Sequence, residues 1–256
     1  METIGVERAE GVVTITMNRP EKKNAINATM WNELLAAFRE VNDSAEDRVL
    51  VLTGAGGDFC SGADLSGGGA DGVGGLASMR HVGDVVLALH RIPKPTIAKV
   101  PGVAAGAGLN LALGCDLIVA GEAARFSEIF AKRGLSLDGG GSWLLPRLIG
   151  LHKAKELAFF ADVISSAEAE RFGIVNHVVS DIDLDKFVDE WALRLTQLPP
   201  IALSMTKTML NNALMTSMEQ ALEDESRSQT VNFGTQDTTE AMRAFVNKTT
   251  PVFKGR

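Results

Sequence analysis

The chain has 256 residues, of which 45% are hydrophobic and 22% are charged, so it can bury a sizeable core and has the composition of a globular protein. Its formal net charge of −7 disfavours a nucleic-acid partner, because phosphate binding needs a positive surface. The sequence shows neither a signal-peptide pattern nor an apolar run of about 18 residues, so we expect a cytoplasmic protein without a membrane span.

The first half of the chain alternates strand and helix patterns. Two alternating stretches, Thr3–Arg8 and Val12–Met17, predict a β-hairpin around Ala9-Glu10-Gly11. An amphipathic helix is predicted over Asn27–Asn42, and a buried strand over Arg48–Thr53. Helix, strand, helix and strand patterns follow in turn at Val82–Leu89, Thr96–Val100, Leu109–Leu113 and Asp116–Ala120.

The second half of the chain becomes steadily more helical. A short irregular or helical piece, two helices, a strand and a long helical section are predicted, in order, at Arg125–Arg133, Ser142–Ile149, His152–Ala161, Val175–Val179 and Leu184–Lys248. The long section is broken at Pro199-Pro200 and near Gly234. We therefore predict an α/β core over residues 1–198 and a helical oligomerisation region over residues 199–256.

Nucleotide and metal binding are both disfavoured by the sequence. The clusters Gly54-Ala-Gly-Gly-Asp-Phe59 and Gly106-Ala-Gly-Leu-Asn-Leu111 begin like GxGxxG but lack its third glycine, so a dinucleotide oxidoreductase has weak support. Cys60, Cys115 and the four histidines show no metal-ligand spacing. The second cluster instead links a strand to a helix through small residues, which leaves backbone N–H groups open to a ligand.

Three separated motifs carry a family resemblance. They are Phe59-Cys-Ser-Gly-Ala-Asp-Leu65, Pro101-Gly-Val-Ala-Ala-Gly-Ala-Gly108 and Leu144-Leu-Pro-Arg-Leu-Ile-Gly150. Their order and spacing resemble the crotonase superfamily of enoyl-CoA hydratases and isomerases, and the likeness covers the whole chain. The resemblance implies a crotonase-like spiral of ββα units, a C-terminal helical trimerisation region, and a homotrimer or a dimer of trimers. It also implies an acyl-CoA thioester as substrate, with no permanently bound cofactor.

The resemblance also implies an oxyanion hole made of two backbone N–H groups. In the family these groups bind the thioester oxygen, and we assign them here to Ser61 and Ala107. Removing a proton beside a thioester forms an enolate whose charge collects on that oxygen, and one preorganised donor can contribute about 10²–10³ in rate. The Ser61 side chain is not expected to act as a nucleophile, because no GxSxG motif surrounds it.

The acid/base residues of the hydratases are missing from their usual places. Those enzymes use two glutamates, whose positions correspond here to Asn110 and Phe130. Glu128 lies nearby but is displaced by two residues, so the resemblance does not transfer the role to it. Since two carboxylates are needed to deliver a water in concert, simple hydration of a 2-enoyl thioester is in doubt.

One carboxylate, Asp138, stands in a position that is catalytic in several isomerases of the superfamily. Its segment Gly134–Arg147 most resembles the ring-1,2-epoxyphenylacetyl-CoA isomerases, and dienoyl-CoA isomerases share the aspartate. Asp138 could instead cap the helix beginning within Gly139–Ser142, although capping and catalysis are compatible. Burial against a wall that includes Phe130 is expected to raise its pKa. We therefore predict an acyl-CoA isomerase with Asp138 as general acid/base.

Two alternatives to the isomerase stay open. One is an enoyl-CoA hydratase of fatty-acid degradation with an unusual acid/base pair such as Glu128 and Asp138. The other is a non-catalytic acyl-CoA-binding protein, for which the loss of both glutamates would be typical and Asp138 would be unexpected.

The remaining predicted site residues are substrate and CoA contacts implied by the resemblance. Lys22 or Lys23 and Ala25 are expected near the pantetheine and phosphates, while Phe253 and Lys254 of a neighbouring subunit are expected to close the nucleotide end. The other expected contacts are Gly62, Ala63, Asp64, Leu65, Gly106, Gly108, Asn110 and Phe130. The glycine-rich stretch Gly67–Gly75 is expected to form a flap that orders on ligand binding.

Overall fold

The computed structural model describes residues 1–65 and 75–256. The predicted flap Gly67–Gly75 therefore lies outside the described residues, apart from Gly75. The described elements are, in chain order, β1 (Ile4–Ala9), β2 (Val12–Met17), α1 (Ala28–Asp43), β3 (Val49–Gly54), α2 (Leu76–His90), β4 (Thr96–Val100), β5 (Val103–Ala105), α3 (Ala107–Leu113), β6 (Leu117–Gly121), β7 (Arg125–Ser127), α4 (Gly141–Ile149), α5 (Leu151–Phe160), β8 (Ile164–Ser165), α6 (Ser166–Phe172), β9 (His177–Val179), α7 (Leu184–Thr196), α8 (Pro200–Asn212), α9 (Met218–Phe233) and α10 (Gln236–Asn247). Short 3₁₀ turns occupy Pro20–Lys22, Ile129–Arg133 and Ala213–Met215.

The larger of two sheets has six strands in the order β1-β2-β3-β4-β6-β9. The predicted hairpin is confirmed, with Ile4 opposite Met17 and Ala9 opposite Val12 in an antiparallel pair. The strands from β2 to β9 run parallel. Strand β3 is apolar and buried over Val49–Leu52, as is typical of a parallel strand that is covered on both faces.

The smaller sheet has three strands in the order β5-β7-β8 and sits beside the larger one. Strand β4 passes into β5 and then α3, and β6 passes into β7 in the same way, so the chain repeats a strand-strand-helix unit. The expectation for Arg125–Arg133 was partly wrong, because the segment starts as strand β7 and only then becomes a 3₁₀ turn over Ile129–Arg133. Strands of two or three residues are too short to show a period in the sequence.

Helices cover both faces of the large sheet. On one face α1 buries Met30, Leu34 and Phe38, and its first turn is capped by the Asn27 side chain, which accepts from the N–H of Met30 at 2.9 Å. On the other face α7 packs Leu184, Val188 and Ala192 against Val49, Val51, Ile97 and Val119. The parallel strands are thereby held rigidly, and the segments that follow their carboxyl ends gather at one edge.

The C-terminal helices follow the predicted breaks in part. Helix α7 ends at Thr196 and α8 begins at Pro200, as expected, and α9 ends just before Gly234. A further break at Ala213–Met215 was missed. The boundary between residues 198 and 199 and the oligomerisation role stay predictions. In the described ranges, no helix is both long and apolar enough to cross a membrane.

Candidate active site

The centre of the site is the turn that joins β5 to α3. The N–H of Gly106 donates to the carbonyl oxygen of Ser127 at 2.9 Å, which anchors the turn on β7. Ala107 is the first residue of α3, so its N–H has no acceptor within the helix. The Phe130 ring lies beside the turn, since a β-carbon placed at Gly106 would be 3.6 Å from Phe130 Cζ. Phe130 is thus buried beside this turn, and its expected place in a wall against Asp138 stays a prediction.

The segment 61–65 runs beside residues 23–26. The N–H of Ser61 donates to the carbonyl oxygen of Lys23 at 3.0 Å, so the prediction that this N–H serves the oxyanion hole was wrong. Ile26 pairs in parallel with Ala63, donating to the carbonyl oxygen of Gly62 at 2.8 Å and accepting from the N–H of Asp64 at 2.9 Å. In such a pairing the N–H of the central residue points away from its partner. The N–H of Ala63 is thus directed away from Ile26.

The same segment lies against the central turn. A β-carbon placed at Gly62 would be 3.0 Å from the carbonyl oxygen of Ala105 and 3.8 Å from the amide nitrogen of Ala107. A β-carbon placed at Gly108 would overlap the carbonyl oxygen of Cys60, so α3 packs directly on the backbone of Cys60. The structure therefore brings together two motifs that lie more than 40 residues apart in the sequence. Gly62 is thus next to the amide of Ala107, and the role of that amide as an oxyanion-hole donor stays a prediction.

Asp138 lies in a tight turn over the first turn of α3. Gly139 and Gly140 have φ values of +53° and +84°, which favour glycine, and they allow the Asp138 carbonyl oxygen to accept from the N–H of Gly141 at 3.0 Å. A β-carbon placed at Gly139 would be 3.9 Å from the Cα of Ala107. The capping alternative is not what the structure shows, because α4 begins at Gly141 with Gly140 as its N-cap and no side-chain cap.

The Asp138 carboxyl is partly buried, and this burial raises its pKa, as expected. Its Oδ1 atom is buried and, among the residues that the structure describes, has no hydrogen-bond partner. A carboxyl oxygen that is not occupied by a hydrogen bond within the chain is available for proton transfer. The Asp138 main chain is held separately, since its carbonyl oxygen accepts from Asn110 Nδ2 at 2.9 Å.

Glu128 is the residue that the sequence interpretation undervalued. It follows β7 directly, its exposed fraction is 1%, and the structure places it near Asn110 and Asp138. Burial raises the pKa of Glu128 to about 8; the nearby Asn110 amide counteracts part of this rise, and the Asp138 charge adds to it. Yet in the described part of the chain neither carboxyl oxygen completes a hydrogen bond. Phe126, Ser127 and Glu128 are all buried in the fold, and no local pattern in the sequence shows this.

Comparison with known proteins decides which family this site represents. The family described as enoyl-CoA hydratase/isomerase matches residues 7–256. The chain belongs to the enoyl-CoA hydratase/isomerase family. This confirms the resemblance seen in the sequence, and an acyl-CoA substrate is consistent with the family.

Similar relatives carry both family names. A probable enoyl-CoA hydratase from Rhodobacter capsulatus is 38% identical over 99% of this chain and 98% of its own length. The 1,2-epoxyphenylacetyl-CoA isomerase of Escherichia coli is 36% identical over the full length of both chains. The crystal structure of an enoyl-CoA hydratase from Bacillus anthracis superposes with a TM-score of 0.95 at 32% identity, covering 99% of this chain and 100% of that one. The predicted crotonase fold is confirmed.

The residues expected to contact CoA come together in this family member. Ser61 Oγ donates to the carbonyl oxygen of Lys22 at 3.2 Å, and Arg19 pairs with Asp64 at 2.9 Å, so residues 22–25 and 61–65 form one surface. Arg19 also donates to the carbonyl oxygen of Ala25 at 2.6 Å. Leu65 at the end of this surface is 56% exposed. The CoA contacts themselves stay predictions.

Two of the residues predicted to contact CoA, Lys23 and Lys254, make contacts within the chain. Lys23 is exposed and pairs with Asp58 at 3.4 Å, so binding a phosphate would compete with this ion pair. The N–H of Lys254 donates to Asp237 on α10 at 2.7 Å, which fixes the C-terminal tail on its own helix. The expected role of Phe253 and Lys254 at a neighbouring subunit's site concerns a second chain and stays a prediction.

Among the described residues there is no cluster of His, Cys, Asp and Glu arranged to hold a metal ion. The candidate site brings together the first amide of α3 at Ala107, the segment around Gly62 and Ala63, the partly buried carboxyl of Asp138, and the buried pair Asn110 and Glu128. An enzyme site of this kind can stabilise negative charge on one oxygen and transfer protons at a neighbouring atom.

Proposed function

We propose that the protein is an acyl-CoA isomerase in which Asp138 moves a proton between carbons of the acyl group, or assists in opening a strained ring such as an epoxide. The observation that carries this proposal is the turn at Asp138, which packs on the start of α3: a β-carbon placed at the next residue, Gly139, would be 3.9 Å from the Cα of Ala107. The Asp138 carboxyl is partly buried, and this burial raises its pKa. The Escherichia coli relative named 1,2-epoxyphenylacetyl-CoA isomerase supports it at 36% identity over the full length.

The proposed mechanism uses the main chain to hold the substrate and one side chain to move the proton. The N–H groups of Ala63 and Ala107 bind the thioester oxygen. The Asp138 carboxylate takes a proton from a carbon of the acyl group, and the electron pair of the broken C–H bond is delocalised to the thioester oxygen as an enolate or dienolate. Asp138 then returns the proton to a different carbon, so the double bond shifts and no atom is gained or lost.

A second candidate is hydration by the pair Glu128 and Asp138. It is favoured by the pKa of Glu128, which burial raises to about 8, and by the hydratase name of the Rhodobacter capsulatus relative. A hydratase residue must touch the water or substrate that it activates, however. Glu128 is only 1% exposed, so this candidate ranks second.

The test is turnover of Asp138→Asn on a panel of CoA esters that includes crotonyl-CoA, a 3-enoyl-CoA and an epoxide-bearing thioester. We expect the variant to lose about 10²–10⁴ in kcat while its Kd for CoA esters stays nearly unchanged. Asp162→Asn is the matched control, because Asp162 is an exposed aspartate paired with Lys132. Product masses and absorbance report the reaction.

Three outcomes would contradict the proposal. Retained turnover in Asp138→Asn would remove the assigned role. Hydration of crotonyl-CoA by the unmodified protein that is faster than isomerisation would favour the hydratase. Recovery of every ester unchanged, despite a thermal shift on binding, would indicate a non-catalytic acyl-CoA-binding protein.

A further inference from the structure

A cluster of buried polar side chains lies behind Asp138, between α3, the residue after β7 and the turn that starts α4. Asn110 is fully buried and Glu128 is 1% exposed. Four of the cluster's oxygens are buried without a partner in the described ranges: Asn110 Oδ1, Glu128 Oε1, Glu128 Oε2 and Asp138 Oδ1. When both carboxyls are ionised, all four are acceptors. Buried acceptors without donors are costly, at about 1–3 kcal/mol each, so a proton on one of the carboxyls would stabilise the cluster.

The orientation of Asn110 shows where that proton is needed. Asn110 Nδ2 donates to the carbonyl oxygen of Asp138 at 2.9 Å. Exchanging the amide oxygen and nitrogen would set Oδ1 against that carbonyl, acceptor against acceptor, so Oδ1 is the atom left for a donor. The Asn110 side chain is near enough to the Glu128 carboxyl to lower its pKa in part, although burial raises that pKa by more. A hydroxyl on a protonated Glu128 would supply a donor for the amide oxygen.

The charges around Glu128 favour its protonated form. Helix α3, which contributes Asn110, has no ionisable side chain, and neither do β5 and β8 of the small sheet. On the 3₁₀ turn that follows Glu128, Lys132 and Arg133 are exposed. Helix α5 packs on that turn with His152, Lys153, Lys155 and Glu156, each exposed or half-exposed. In the described chain, Asp138 is the charged group that acts on Glu128, and it opposes ionisation.

We propose that Glu128 is a positioning residue that works as a neutral acid: its hydroxyl donates to Asn110, whose amide in turn holds the carbonyl of Asp138 and so fixes the catalytic turn. Releasing the Glu128 proton would remove a donor and place a second negative charge beside Asp138. Turnover should then fall as Glu128 ionises, close to its raised pKa of about 8. This inference rests on the proposed function, since it assigns Asp138 the proton transfer.

The kinetic test compares pH profiles of the unmodified protein with those of Glu128→Gln and Glu128→Leu. Glutamine keeps an N–H donor for Asn110 and cannot ionise, so we expect turnover near that of the unmodified protein at about pH 7, without the fall above about pH 8. The fall in turnover at low pH, which we assign to protonation of Asp138, should remain in Glu128→Gln. Leucine has no donor, and we expect kcat to drop about tenfold or more at every pH.

A second measurement keeps the inference separate from the proposed function. Infrared difference spectra between the unmodified protein and Glu128→Gln, taken without substrate, report whether the Glu128 carboxyl is protonated. We expect a protonated-acid band at about pH 7 that disappears above about pH 8. Because no thioester is present, this readout holds even if the protein isomerises none of the panel.

Several outcomes would overturn the inference. An ionised Glu128 in the infrared spectrum at about pH 7 would exclude a neutral acid. An alkaline fall that persists in Glu128→Gln would belong to another group. Full turnover in Glu128→Leu would show that Asn110 needs no donor. A loss in Glu128→Gln as large as that in Asp138→Asn would make Glu128 a proton-transfer residue, as the hydratase candidate requires.

Discussion

Two buried carboxyls, Asp237 on α10 and Glu128 behind the site, have nearly the same exposure and opposite surroundings. Asp237 is 4% exposed, and its oxygens accept from the N–H groups of Lys254 and Gly255 at 2.7 and 2.8 Å. Glu128 is 1% exposed, and in the described residues no donor completes a bond to it. The difference teaches that a carboxyl with donors fixes the chain, whereas burial without donors raises the pKa of a carboxyl.

The largest expected difference between these two carboxyls is that ionisation of Glu128 makes the free energy of unfolding depend on pH. Its folded pKa of about 8 lies above the usual 4.5, so between these values the folded state keeps a proton that the unfolded state has lost. The free energy of unfolding therefore falls as the pH rises through this window. We expect Glu128→Gln to become more stable than the unmodified protein by roughly 3–5 kcal/mol above the window.

Denaturant unfolding at about pH 5, 7 and 9 measures this difference. The gain should be small at the lowest pH and should grow to a plateau. A constant difference between the two proteins at all three pH values would refute the raised pKa. Asp237→Asn, measured in parallel, is the control for a buried carboxyl with donors.

A substitution that intrudes on the unpaired cluster should have the next largest effect. A β-carbon at position 141 would lie 2.5 Å from Asn110 Oδ1 and 2.6 Å from Asn110 Nδ2. We expect Gly141→Ala to cost about 1–3 kcal/mol of stability and to reduce turnover, because moving Asn110 releases the Asp138 turn. Unfolding curves and kcat check this together, and unchanged kcat would show that Asn110 does not hold the turn.

Replacing the paired carboxyl in Asp237→Asn should lower the stability of the protein, whereas Glu128→Gln should raise it. In Asp237→Asn one of the two N–H groups at Lys254 and Gly255 faces an amide NH₂ instead of an oxygen. We expect a loss of about 1–2 kcal/mol and faster proteolysis of residues 251–256. Asp189→Asn, on an exposed position of α7, is the matched control and should change neither. If Asp237→Asn were as stable as the unmodified protein, the paired carboxyl of Asp237 would not stabilise the fold, and the proposed difference from Glu128 would be wrong.

The smallest expected change in stability is that of Gly83→Ala, which serves as the control for Gly141→Ala. Gly83 lies inside α2, and no described atom comes within 4 Å of a β-carbon placed there. We expect Gly83→Ala to stabilise the protein by up to about 1 kcal/mol, because alanine favours the helix and no clash opposes it. A loss of stability in this variant would mean that the penalty at position 141 is not specific to Asn110.

Those parts of the fold that have local periodic patterns were predictable from the sequence. A local pattern of a few residues is enough to predict the hairpin, the buried strand β3 and the turn from β4 to α3. Strands β5, β7 and β8 did not, because two or three residues show no period and pair only across the small sheet. A local sequence pattern therefore predicts a helix or strand only when that element is long enough to show a period.

The chemistry of the site was predictable only in part. The motif around Ala107 and the position of Asp138 were recognised, but the donor at Ser61 was wrong. Which N–H is open depends on the residue that pairs with Ile26, and no local pattern at 59–65 encodes that contact. The burial of Glu128 likewise arises from packing against α3 and the Asp138 turn, which are distant in sequence.

The close fit around Asn110 limits how this enzyme can change its chemistry. A β-carbon at position 139 would lie 3.2 Å from the Cβ of Asn110, and one at position 141 would lie 2.5 Å from its Oδ1. We therefore expect a longer side chain at position 110, such as glutamate, to press on the turn that carries Asp138. A change of residue 110 and a change of this turn would then be coupled.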